Sequence, residues 1–327
     1  MKKYIAILLV AAMATLGISA CRKENSNKET KVQKDSDIKV VTTIFPEYDW
    51  VRQIAGEEAD QMDITMLLDN GVDLHSYQPT AEDIMKVSDC DLFVYVGGES
   101  DAWVDDALKQ AKNKDMQVVN LLDVLGNNAK EEEVIEGMEP EEGGEEEEPE
   151  YDEHVWLSVK NAEVLSKAIA DALEKADPDH KDIYQENASA YSEKLKDLDA
   201  KYQEVVDGAS QKTLLFGDRF PFRYLVDDYG LSYYAAFVGC SAESEASFDT
   251  ISFLANKVDE LGLKDIMAIE NSNQKIAKTI IENTKEKNQK ILTLDTMQST
   301  TSDDVKNGTT YLSVMEKNLE VLKEALQ

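Results

Sequence analysis

The sequence is short of basic residues, histidine and cysteine, and each shortage excludes a class of protein. Its 327 residues carry 34 Lys and Arg against 66 Asp and Glu, a net charge of -32. A surface that negative repels phosphate backbones and anionic headgroups, which excludes nucleic acid as a partner and leaves cations as the ligands it attracts. Three cysteines are too few for a disulfide framework. The chain holds three histidines and no HExxH or GxSxG run, so the usual signatures of zinc and serine hydrolases are lacking. Aromatic residues are scarce at 7%, yet apolar residues reach 42%. A chain of that length and composition buries the cores of two lobes of ordinary size.

No run is long enough to span a bilayer. The longest apolar stretch, residues 5–18, falls short of the roughly 20 residues needed. With Lys2 and Lys3 ahead of it, residues 1–20 read as a signal peptide. Ile18-Ser19-Ala20-Cys21 then resembles the lipobox of bacterial lipoproteins, which implies that the peptide is removed and that Cys21 carries lipid. Residues 21–37 are polar and free of aromatics, and they read as a flexible tether. The mature protein is expected outside the cytoplasmic membrane, anchored to it by acyl chains.

From residue 38 onward, short apolar runs alternate with amphipathic stretches, the pattern of βα units that build a parallel sheet. Strands at 39–45, 62–68, 92–97 and 117–122, with helices at 46–55, 80–88 and 103–111, predict an N-terminal α/β lobe over 38–180. Tyr184, Tyr191, Leu195, Leu198, Tyr202 and Val205 recur at spacings that make one helical stripe, which predicts a linking helix over 181–208. Strands at 213–216, 233–237, 266–269 and 290–294 predict a C-terminal α/β lobe over 209–327. The fold class expected is therefore α/β, two lobes with parallel sheets bridged by one long rigid helix. Inside the first lobe, residues 131–153 contain 14 Asp or Glu among 23 residues and no Lys or Arg. Such a run repels itself and cannot fold alone, so its excision is expected to leave stability almost unchanged.

Two of the histidines lie between predicted elements. His75 follows the second strand, at the end of the sheet where α/β proteins place ligands. His154 stands where the acidic run meets the next helix. A neutral imidazole is the commonest metal ligand, and the carboxylates and carbonyls near each histidine suit the hydrogen bond that must orient its second nitrogen. His180, inside Asp177-Pro178-Asp179-His180, reads as a solvated helix-start residue. Trp50, Trp103 and Trp156 read as packing of the core or cleft wall, with Trp156 wedging the loop of His154. Cys90 and Cys240 read as reduced thiols, and Cys240 equally as a soft metal donor.

Thr43-Ile44-Phe45-Pro46, Asp73-Leu74-His75-Ser76-Tyr77-Gln78-Pro79-Thr80, Glu153-His154-Val155-Trp156-Leu157-Ser158, Asp228-Tyr229-Gly230-Leu231 and the run from Tyr311 to Leu319 follow one another along the chain. In that order, from about Val40 to the C-terminus, they resemble the zinc- and manganese-binding lipoproteins of ABC importers. The resemblance implies one metal in a cleft between two helix-bridged lobes, handed on to a membrane permease. It also implies that the acidic run takes the place of a loop that is His-rich or acidic in zinc-binding members. Carried over residue by residue, it puts the first two ligands on His75 and His154 and the fourth on Asp295. The third falls on Arg219, whose permanently charged guanidinium cannot coordinate a cation. Cys240, Glu270 and Asp218 are the substitutes to hand, and a thiolate from Cys240 would favour zinc over manganese. A buried guanidinium needs a carboxylate, for which Asp295 and Glu270 are the candidates. The expectation is a non-enzymatic binding protein that holds Zn2+, with Mn2+ as the alternative, through His75, His154, Asp295 and Cys240. A surface-anchored metal hydrolase and an adhesin are the competing classes.

Overall fold

A computed structural model describes residues 38–138, 150–241 and 245–327. The signal peptide, the lipid-bearing Cys21, the tether and the acidic stretch 139–149 lie outside the described residues. Two four-stranded sheets, parallel throughout, form the frame. The first has the order β2-β1-β3-β4, from β1 (Lys39–Thr42), β2 (Asp63–Met66), β3 (Leu92–Tyr95) and β4 (Gln117–Asn120). The second has the order β6-β5-β7-β8, from β5 (Thr213–Phe220), β6 (Ser232–Val238), β7 (Asp265–Ile269) and β8 (Lys290–Leu294). In each sheet the order reverses beside its first strand, which opens a crevice at the carboxyl ends of the strands. All four residues of β3 are buried, as expected for a strand covered on both faces.

The helices of the first half are α1 (Phe45–Ala55), α2 (Ala81–Asp89), α3 (Val104–Lys109), α4 (Leu121–Leu125) and α5 (Val159–Ala176). Helix α6 (Lys181–Asp207) joins them to α7 (Arg223–Tyr229), α8 (Phe248–Leu261), α9 (Lys275–Asn283), α10 (Ser302–Lys306) and α11 (Tyr311–Ala325). The apolar stripe read from the sequence is the buried face of α6, closing on Val206 instead of Val205. Tyr202 on that face donates to the carbonyl of Met315 at 2.7 Å, which ties α6 to α11. At the start of α11, Tyr311 packs edge-on against Trp50 of α1 and donates to the carbonyl of Trp156. One continuous apolar core thus draws on both sheets and on the helices between them.

Several boundaries differ from the sequence reading by a few residues, and two of the differences have a clear local reason. The run 117–122 leaves the sheet at Asn120, whose side chain accepts the Asp123 N–H and opens α4. Strand β5 continues to Phe220 through a register shift against β6 between Phe216 and Arg219. The extra residue of such a bulge re-aims the side chains that follow it toward the carboxyl end of the sheet.

The base of the acidic run contradicts the expectation of a detached spacer. Glu131 and Tyr151 pair as an antiparallel bridge, and Glu132 N–H donates to the carbonyl of Glu150 at 2.8 Å. Met138 is buried, Ile135 packs against the core, Phe253 of α8 lies against Gly137, and Glu133 pairs with Arg223. The backbone pairing satisfies groups that charge repulsion would otherwise leave to water, and the apolar residues scattered among the acids supply the burial. Excising 131–152 should therefore lower the melting temperature of the apo protein by several degrees, because burial of the Met138 side chain alone contributes about 2 kcal/mol. Within the native base, Asp152 N–H reaches the Lys130 carbonyl, so the remaining ends, Lys130 and Glu153, lie close together and a thermal melt chiefly measures lost packing.

Candidate metal centre

Three donors converge where the carboxyl ends of the two sheets meet. His75 lies in a single helical turn, Leu74–Ser76, after β2, and the Asp73 carboxylate caps that turn by accepting the His75 N–H at 3.0 Å. His154 opens the turn Val155–Leu157 ahead of α5, with its own N–H on Asp152 Oδ1 at 2.8 Å. Cys240 follows β6 in the second half of the chain. The two Nε2 atoms are 3.1 Å apart, and donor atoms from all three residues lie within 4.8 Å of one another. Tetrahedral zinc needs about 3.3 Å between two ligand nitrogens and about 3.6 Å between nitrogen and sulfur. The imidazole pair is close to that spacing, and the sulfur lies within 4.8 Å of it.

Each imidazole is turned by a partner on its other nitrogen. His154 Nδ1 is 3.0 Å from Asp152 Oδ1, and His75 Nδ1 is 2.9 Å from Ser100 Oγ and 3.4 Å from Glu153 Oε2. These acceptors favour the proton on Nδ1 in both rings, so both Nε2 lone pairs point into the cluster. Glu153 is fixed in turn by the Ser100 N–H at 2.9 Å. Backbone without side chains makes room for this packing. A Cβ on Gly239 would come within 3.2 Å of the His154 ring and 2.9 Å of the Phe220 carbonyl, and one on Gly98 would strike the Glu153 carboxylate.

The electrostatics favour a neutral His75. Burial, the neighbouring His154 and the Arg219 guanidinium outweigh the Asp73 charge and bring the His75 pKa down to about 3. Burial, followed by the charges of Glu132, Asp152 and Glu153, pushes the Cys240 thiol well above its ordinary value. Burial also raises Glu153 and Glu132. A divalent cation at the cluster reverses the thiol shift, since coordination deprotonates a thiol outright. Deeper in the first half, Asp101 takes the Gly97 N–H at 2.9 Å and is pushed up to about 7, chiefly by burial and then by Glu153.

The structure brings His75, His154 and Cys240 together, and among the described residues this group does not include Asp295. Asp295 Oδ1 accepts the Met297 N–H at 2.8 Å, and its backbone exchanges hydrogen bonds with Asn318, so the carboxylate is used to turn the chain after β8. The side chain that this turn delivers is Gln298, three residues on. Its Nε2 is 3.3 Å from His154 Nε2, and its Oε1 accepts the Leu74 N–H at 3.4 Å. No titratable signal marks a glutamine, and only the turn geometry reveals it. Glu270 accepts Thr296 N–H and Oγ1–H at 2.7 and 2.5 Å, and Asp218 accepts the N–H of Arg219. Arg219 pairs with Asp73 across the cleft, not with Asp295 or Glu270, because the bulge in β5 turns it toward the His75 turn. Cys90 is a buried free thiol remote from the cluster, and His180 pairs with Asp177 at its helix start.

Residues 40–325 match the family described as zinc-uptake complex component A, periplasmic. The zinc-binding lipoprotein AdcA of Streptococcus pneumoniae (strain ATCC BAA-255 / R6) is 35% identical over 323 residues, which cover 97% of this chain and 60% of AdcA. The high-affinity zinc uptake system protein ZnuA of Bacillus subtilis (strain 168) is 30% identical over 336 residues, covering 99% of this chain and 98% of ZnuA. Among solved structures, the Zn(II)-bound ZnuA-like domain of Streptococcus pneumoniae AdcA superposes with a TM-score of 0.69 at 32% identity. That alignment covers 89% of this chain and 99% of the domain. The chain spans about three-fifths of the length of the AdcA relatives it matches.

Two outcomes follow from the geometry. Gly239→Ala should displace the His154 ring or the Cys240 loop and weaken zinc binding by roughly tenfold, read by competition with a chromophoric chelator. The second concerns Asp101, whose folded-state pKa near 7 stands above its ordinary 3.8. A raised pKa contributes stability that is complete below about pH 4 and is lost as pH rises through 7. Asp101→Asn keeps an acceptor for the Gly97 N–H and carries no titrating proton. Urea unfolding of the metal-free protein should therefore show a shallower loss of stability between pH 5 and 8 in the variant, by up to about 1.4 kcal/mol per pH unit.

Proposed function

The chain belongs to the family of periplasmic zinc-uptake component A, and from that membership we propose that it captures zinc outside the cytoplasmic membrane and delivers it to the permease of an ABC importer. It carries the ion and does not transform a substrate. The observation that supports this reading most directly is the facing pair of Nε2 atoms, 3.1 Å apart and oriented by Asp152 and Ser100, with the Cys240 thiol beside them. Two imidazoles and one thiolate make a soft set that prefers zinc to manganese. The relatives named for zinc binding and zinc uptake support the same cargo. Lipid on Cys21 would hold the protein at the membrane surface, and the separation of the two sheets by α6 suits a cleft whose contents a permease can reach.

Zinc titration of the protein lacking its first 21 residues tests the reading. His75→Ala and His154→Ala should each weaken zinc by far more than tenfold, and Cys240→Ser, which keeps size and removes the soft donor, by roughly tenfold or more. Manganese should compete poorly. Zinc affinity that is unchanged in His75→Ala and His154→Ala would overturn the site and the function with it.

A further inference from the structure

Glu132 is outside the three donors, yet it holds one of them. Its Oε1 accepts the Cys240 N–H at 2.9 Å, a contact between positions 108 residues apart in sequence. The residue sits where the acidic run enters its backbone pairing with 150–152, and the alternation of that extended segment turns Glu132 inward while Glu131 and Glu133 face solvent. Three further contacts brace the same segment against the second half of the chain. Glu133 pairs with Arg223, Tyr224 OH donates to the Asp152 carbonyl at 2.8 Å, and Lys130 N–H donates to the Tyr224 hydroxyl at 3.0 Å. Gly239, directly before Cys240, lies against the His154 ring.

We propose that Glu132 is the positioning residue of the Cys240 donor, fixing the main chain of residue 240 so that its sulfur faces the two imidazoles. Through it, the root of the acidic run becomes a built part of the metal centre. Asp152 already orients His154 from the other root, and Glu153 stands beside His75, so each of the three donors has a partner at the base of the run. Glu132 also lines a groove of about 880 Å³ together with Glu131, Glu133 and Arg223. Loss of the Glu132 contact lets the thiol swing out while both imidazoles keep their own partners.

The inference rests on the reading of Cys240 as a ligand, and cobalt(II) separates the two. In place of zinc, cobalt reports thiolate coordination by a sulfur-to-metal charge-transfer band and imidazole coordination by its ligand-field bands. The wild-type protein should show both, and Cys240→Ser should lose the first. Glu132→Ala should keep the ligand-field bands, lose most of the charge-transfer intensity and bind cobalt roughly tenfold more weakly. Glu132→Gln retains an oxygen for the Cys240 N–H and should restore the band, which shows that the variant folds and that the acceptor is what matters. Glu131→Ala, whose side chain faces solvent on the same segment, should resemble wild type. A Glu132→Ala protein with wild-type intensity and affinity would overturn the positioning role and leave the ligand role of Cys240 standing. A wild-type protein without the charge-transfer band would overturn both.

Discussion

Two imidazole nitrogens held 3.1 Å apart set the terms for the rest of the molecule. In water such an approach is relieved by rotating either ring. Here neither ring is free to turn, because Asp152 holds one Nδ1 and Ser100 with Glu153 surrounds the other. A proton shared between the two Nε2 atoms or a cation bound by both satisfies them. Burial brings the His75 pKa down to about 3 and so disfavours a charged imidazolium at the cluster. The arrangement is an instance of a site organised by its outer partners before the ligand arrives.

Holding that arrangement takes both halves of the chain. Parallel sheets place their loops at the carboxyl ends of strands, and the two sheets here turn those ends toward a shared seam. His75 and His154 come from one side and Cys240 from the other, so the cluster exists only when the halves are joined. The joints are specific. Trp156 donates to the Thr296 carbonyl at 2.8 Å, Leu74 N–H reaches Gln298, Arg219 pairs with Asp73, and Tyr224 caps the Asp152 carbonyl. Each net hydrogen bond contributes only about 1 kcal/mol, and they act on top of the continuous apolar core beneath them. The core fixes that the halves meet, and the polar joints fix the register in which they do.

The legibility of these features in the sequence followed how local their causes are. The strands and the 27-residue helix α6 were readable because apolar periodicity repeats over many residues. His75 and His154 were readable because each sits in a long motif with its capping acid two residues away, Asp73 and Asp152. Asp295 lies outside the donor group, and its sequence signal was ambiguous because a carboxylate that ends a strand looks the same whether it binds a metal or accepts the N–H two residues on. Gln298 was missed because an uncharged amide carries no signal until the turn delivers it to His154. The partner of Arg219 was misassigned because one extra residue in β5 decides where the side chain points, and a bulge leaves no mark in composition. Glu132 was hidden by its surroundings. In a run with so many acids nothing distinguishes the one that turns inward, and only the bridge between Glu131 and Tyr151 does so.

The charges around the cluster explain why an arginine is compatible with a cation site at all. Asp73, Glu132, Asp152 and Glu153 all lie near the donors, and burial makes charge on Glu132 and Glu153 unfavourable. Arg219 neutralises Asp73, which the pair holds below the ordinary carboxylate range against the effect of burial. Under the proposed ligand set, a divalent cation at the cluster would convert the Cys240 thiol to a thiolate. The negative charge that a carboxylate ligand would bring would then be supplied by sulfur on binding, and the unbound centre would not have to bury it. Placing Cys240 against Glu132, at the root of the acidic run, ties low charge before binding to a soft donor after it.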